Sequence, residues 1–161
     1  MIDVSVLDQA ILFMFTDVER EIHLAIADPE SLKELGVTPG GGNFLAALGL
    51  LCYTEFGGKL RFNRKKASAN FNEFFDCLGN VYADFRKTHN VYDVFRCGLA
   101  HEHYVKKNCT VSMFGNPQQP GIGFDVNTKR YWFAVDRYAH DLKMAFKALR
   151  ADISTGSHEE V

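Results

Sequence analysis

The feature that most constrains this chain is the stripe Val4, Leu7, Ile11, Met14, Val18, Ile22 and Ala25, apolar residues three or four apart across Val4 to Asp28. That spacing matches one face of an α-helix, and a helix of such length must bury the face against other elements. Asp28-Pro29 ends it. A loop through Thr38-Pro39-Gly40-Gly41-Gly42 follows, and Asn43 is placed to N-cap a nearly all-apolar helix over Phe44 to Phe56, stopped by Gly57-Gly58. That second helix is expected to be the most buried element. At 161 residues, with 47% hydrophobic and 24% charged, the chain can bury a core without disulfides or metal.

Helical patterns recur over Ala67 to about Leu78, Tyr82 to Lys87 and Val91 to Tyr104, the last with Val91, Val94, Phe95, Gly98 and Leu99 on its apolar face. The pattern then changes. Thr110–Phe114, Gly121–Asp125 and Arg130–Val135 are short β-prone runs separated by Pro, Gly and Asn turns, with Tyr131-Trp132-Phe133 expected in packing. Asp136 can cap a final helix with Tyr138, Leu142, Ala145, Phe146 and Leu149 inward and Lys143, Lys147 and Arg150 solvated. The expected fold is mainly α, a helical bundle with a small β-hairpin or three-stranded flap inserted before the last helix. Residues 1–153 read as one domain and 154–161 as a loose tail.

No run reaches the roughly 20 apolar residues of a membrane span, and Met1-Ile2-Asp3 lacks the basic region of a secretory signal. A cytoplasmic protein without membrane contact is expected. Cys52, Cys77, Cys97 and Cys109 form no Cys-x-x-Cys pair and read as reduced, mostly core thiols. Charge is uneven: residues 1–58 hold two basic and nine acidic residues, whereas 59–151 hold sixteen basic and eight acidic. This asymmetry permits a polyanion-binding face. The run Lys59, Arg61, Arg64, Lys65 and Lys66, with Phe62 inside it, is the best candidate RNA-binding footprint, because cations bind phosphates and an aromatic can stack on an unpaired base.

The chemistry-bearing run is Arg96-Cys97-Gly98-Leu99-Ala100-His101-Glu102-His103-Tyr104. RNA cleavage by the strand's own 2′-hydroxyl needs a proton-transfer group active near neutral pH, which imidazole supplies. It also needs a cation for the charge gathering on phosphorus, which guanidinium supplies in bidentate geometry. Arg, four residues, then His on a late helix of a small bundle resembles the HEPN domains. The resemblance implies a metal-independent endoribonuclease, a prokaryotic toxin or defence component, acting as a homodimer that brings two copies of the motif together. It implies Arg96 as phosphate-binding cation and His101 as proton-transfer group. From the run itself, Gly98, Glu102 and Tyr104 are read as supporting residues. Toxin members paired with a nucleotidyltransferase antitoxin carry Tyr two residues after the His, where this chain has His103; Tyr104 comes one later.

On an ideal helix, at about 100° per residue, Arg96 and His101 diverge by roughly 140°, whereas Arg96 and His103 differ by only about 20°. A working site therefore calls for distortion at Gly98, a second subunit, or His103 in place of His101. No metal or cofactor is expected: His101 and His103 point apart on a helix, and His-Glu-x-x-His is absent. The Gly40-Gly41-Gly42-Asn43 loop lacks the Lys-Ser/Thr of a P-loop. The alternative is a non-catalytic helical module binding RNA or a protein partner, with Arg96 and His101 structural.

Overall fold

In the computed structural model, residues 3–102 and 108–155 are described, with the backbone alone for His101 and Glu102. The long stripe forms helix α1, Val4–Ile26, capped by the Asp3 carboxylate, which accepts from the Ser5 amide at 2.8 Å. Pro29 does more than end it. With Asp28 as N-cap, Pro29 opens a short helix, α2, Pro29–Glu34, as its fixed φ and missing N–H favour at a first helical position. That helix lies in a stretch read as loop.

The apolar run forms α3, Asn43–Phe62, and departs from expectation at both ends. Gly42 is the N-cap, at φ +77, and Asn43 is the first helical residue. Its side chain reaches away from the helix, Nδ2 donating to the Val111 carbonyl at 2.6 Å. At the other end Gly57-Gly58 does not stop the helix. Both glycines are buried at its crossing with α4, Ala67–Asp76. A Cβ on Gly58 would collide with the Asn70 backbone carbonyl, and one on Gly57 with the Phe74 ring. Here glycine permits close helix contact rather than chain reversal. The helix ends at Asn63, in the left-handed region at φ 49.

The α3–α4 connection is closed by buried Asn70, whose Oδ1 accepts from the Arg64 amide at 2.7 Å and whose Nδ2 donates to the Arg64 carbonyl at 3.0 Å. Helix α5, Asn80–Thr88, follows. A π-helical turn, Tyr92–Cys97, then runs straight into α6, Gly98–Glu102. The strands β1, Cys109–Ser112, β2, Ile122–Asp125, and β3, Arg130–Ala134, form a three-stranded sheet in the order β1-β3-β2. β1 lies parallel to β3, pairing Val111 with Phe133, and β2 lies antiparallel, pairing Gly123 with Trp132. The last helix, α7, is Val135–Ser154. Its N-cap is Ala134, not Asp136; from the first turn Asp136 Oδ1 accepts from the Gly115 amide at 2.9 Å.

The architecture is thus a mainly helical bundle with a small sheet inserted before the last helix. The sheet is no loose flap, since Tyr131, Phe133 and Ile122 are buried in the same core as α1, α3, α4 and α7. Tyr138 stands at its centre, fully buried, its ring 4.8 Å from Phe133 and its hydroxyl 2.8 Å from Thr54 Oγ1. Thr54 donates in turn to the Leu50 carbonyl, so the polar atoms of this buried pair are satisfied. Helix α3 packs against most of the molecule, yet it carries Phe44 and Leu45 in the open, so it is central without being wholly buried. Residues 156–161, most of the expected tail, lie outside the described residues. No helix among the described residues is long and apolar enough to cross a membrane.

The crossing of α3 and α4 predicts opposite outcomes for two glycines of one helix. Gly58→Ala will lower unfolding stability by about 1–3 kcal/mol, the usual scale of forced overpacking. Gly49→Ala meets nothing nearer than the Tyr53 ring at 3.7 Å, so it will be neutral or stabilising by up to about 1 kcal/mol, since alanine favours helix. Urea denaturation of the two variants measures the contrast.

Candidate functional site

Arg96 lies in the π-helical turn, immediately before the helix that carries His101. A π turn closes its hydrogen bonds over five residues rather than four and is often found at functional sites. The distortion expected at Gly98 therefore lies in the preceding turn and ends where Gly98 begins. The expected apolar face does form: Val91, Val94, Phe95 and Leu99 are all buried. His101 and Glu102 belong to α6 by their backbone; His103 and Tyr104 lie outside the described residues.

The residue that meets Arg96 is Glu55 of α3, to which sequence reasoning gave no role. Arg96 Nε donates to Glu55 Oε2 at 3.0 Å, with only 20% and 25% of the two side chains exposed. A signal was available: Glu55 is the one charged residue between Asn43 and Gly58, and a lone acid in an apolar helix calls for a partner. Burial opposes the charge on Arg96, but Cys52, Glu55 and Tyr92 around it outweigh that and keep the guanidinium firmly protonated. The same surroundings raise the Tyr92 hydroxyl, burial first and then the Glu55 carboxylate.

How Arg96 is held sets it apart. Arg86 and Arg150 each give Nε and Nη2 together to one carboxylate, Asp76 and Asp8 respectively. Arg96 gives Nε alone. Among the described residues its two amino nitrogens have no hydrogen-bond partner. A guanidinium with a free amino edge can still take two oxygens of a phosphate.

The basic run is divided by the fold. Arg61 pairs with Asp152 at 2.9 Å and Arg64 with Glu73 at 2.9 Å, whereas Lys59, Lys65 and Lys66 are exposed and have no ion pair among the described residues. Lys59 is one helical turn from Glu55, so the free part of the run begins beside the Arg96 contact. The wider charge asymmetry is partly spent inside the fold. Lys143 pairs with Glu19 and Arg150 with Asp8, joining α7 to α1, so these cations are not simply solvated.

Two clefts are present on the described surface, and neither contains Arg96. One of about 330 Å³ is lined by Asn72, Arg86, Lys87, Thr88, His89, Asn90 and Val91. The other, of about 310 Å³, lies between α1 and α3 and includes Leu45, Leu48 and Tyr53. His89 is engaged, stacked on Phe85 at 4.4 Å and with Nδ1 3.0 Å from the Tyr131 hydroxyl. Among the described residues no three His, Cys, Asp or Glu side chains are grouped to hold a metal. All four cysteines are free, but they are not core residues: Cys77 is exposed and the others half-buried. No family model, curated protein or solved structure matches the chain.

Burial pushes the Cys109 thiol up to about 12. Above the ordinary thiol range the unfolded chain loses this proton while the folded chain keeps it, so stability is full below pH 9 and falls as pH rises towards 12. Timed alkylation at pH 8, read by peptide mass mapping, will find Cys109 labelled more slowly than a denatured control, because the thiolate is the reactive form.

Proposed function

We propose that this chain is a HEPN-like, metal-independent endoribonuclease, a prokaryotic toxin or defence component, with Arg96 and His101 as its working pair at a dimer interface. The observation that carries the reading is the amino edge of Arg96, unpartnered among the described residues, on a widened turn that leads directly into the helix of His101. The charge-bearing surroundings add to it, since Lys59, Lys65 and Lys66 begin one turn along α3 and can follow a nucleic-acid backbone.

In the proposed reaction the 2′-hydroxyl attacks the adjacent phosphorus, giving up its proton to a base. The P–O5′ bond breaks and the 5′-oxygen, on taking a proton, leaves as the 5′-hydroxyl of the downstream fragment, while the 3′ end of the upstream fragment becomes a 2′,3′-cyclic phosphate. His101 moves protons, with His103 its rival for that role. Arg96 binds the non-bridging oxygens as charge builds on them.

The Arg96–Glu55 pair also favours the second reading, a helical module that binds RNA or a protein partner, such as an antitoxin, without chemistry. A half-buried guanidinium held by a carboxylate can be a packing device alone. The two readings separate on one assay. In EDTA, the purified protein is expected to cut structured or transfer RNA and leave cyclic phosphate ends. Arg96→Ala is expected to slow this by about 10²–10³-fold and His101→Ala by about 10²–10⁴-fold. Identical behaviour of wild type and His101→Ala across a broad RNA panel, with oligomeric state unchanged, rejects the catalytic reading. Altered melting temperature or oligomer size without any RNA product supports the second.

A further inference from the structure

We propose that Glu55 is a positioning residue for Arg96, fixing the guanidinium through Nε so that its amino edge is presented to a phosphate; the inference rests on the ribonuclease reading above. Glu55 sits on α3, which packs against α1, α4, α7 and β1, whereas Arg96 sits on a short π turn, a local departure from regular helix. A long arginine side chain on such a turn has many rotamers open to it. One hydrogen bond to a carboxylate anchored on a rigid helix removes most of them and leaves the phosphate-binding edge open.

The other arginine pairs show that this arrangement is particular. Asp76 and Asp8 close the side-on fork of Arg86 and Arg150. Arg64 also gives Nε to its partner, but takes both oxygens of Glu73 and is exposed at 46%. Among the described residues only the Arg96 pair combines a single Nε contact with side chains that are both three-quarters buried or more. The rival role for Glu55 is charge neutralisation, in which the carboxylate offsets a half-buried cation and its reach is of little consequence.

Two substitutions divide these roles. Glu55→Asp keeps the charge and shortens the arm by one methylene, and Glu55→Gln keeps the arm and an oxygen acceptor while losing the charge. With the full chain and a transfer RNA substrate, Glu55→Asp is expected to lower kcat by about 10- to 100-fold, the penalty of a misplaced group, and to change KM by less than about threefold. Glu55→Gln is expected to hold kcat within about threefold of wild type. Melting curves of both variants accompany the kinetics, and the isosteric glutamine variant keeps the comparison open if the aspartate variant does not fold.

If Arg96→Ala abolishes cleavage while Glu55→Asp retains wild-type kcat, the positioning role is overturned and the ribonuclease reading stands. A loss in Glu55→Gln of 10-fold or more overturns it as well, in favour of charge. If wild type and Arg96→Ala both leave the RNA intact, the ribonuclease reading falls and this inference with it.

Discussion

The rest of the structure depends on the close crossing of α3 and α4. Two buried glycines let the α3 backbone approach the Asn70 carbonyl, and the Asn70 side chain closes the turn between the helices by satisfying both backbone groups of Arg64. With that crossing fixed, Phe74 comes within 5.2 Å of Phe146 on α7, and Phe71 within 5.3 Å of Tyr92 on the π turn. The position of the motif segment thus follows from helix packing several residues away. In a close-packed interior such a displacement cannot be absorbed locally.

The central polar pairs have a similar logic. Tyr138 and Thr54 share one hydrogen bond at the heart of the core, and Tyr82 connects α5 to α7 and the sheet by donating to Asp141 and accepting from the Gly121 amide. Burial raises both phenols well above their ordinary range. They remain neutral and act as directional spacers, fixing how sheet and helices are rotated about one another.

Helix periodicity was legible because it is written in local spacing. The stripe of α1, the inward residues of α7 and the three short strands are all visible in the spacing of apolar and turn residues along the chain. Interactions across long sequence distances were not. Gly57-Gly58 has the same spelling whether it stops a helix or admits a neighbour, and only the α4 backbone decides between them. Asn43 looks like a cap until Val111, 68 positions away, claims its side chain. At the candidate site, Arg96 was visible as a residue type suited to phosphate, but its 41-residue separation from Glu55 hid the contact that defines its geometry. The run Lys59 to Lys66 shows the same limit, since Asp152 and Glu73 take two of its five cations out of play.

The Asn43–Val111 hydrogen bond has a consequence for the motif segment. Asn43 and Glu55 stand at twelve-residue separation on one continuous helix, about 18 Å apart along its axis. Glu55 holds Arg96, upstream of His101, and Asn43 holds Val111, downstream of it. One stiff rod therefore pins the chain on both sides of His101, like a bow stave fixing the two ends of its string. Because α3 makes both contacts, it ties the span between the pins to its own length, so a force or a ligand acting on the chain between them bears on this helix.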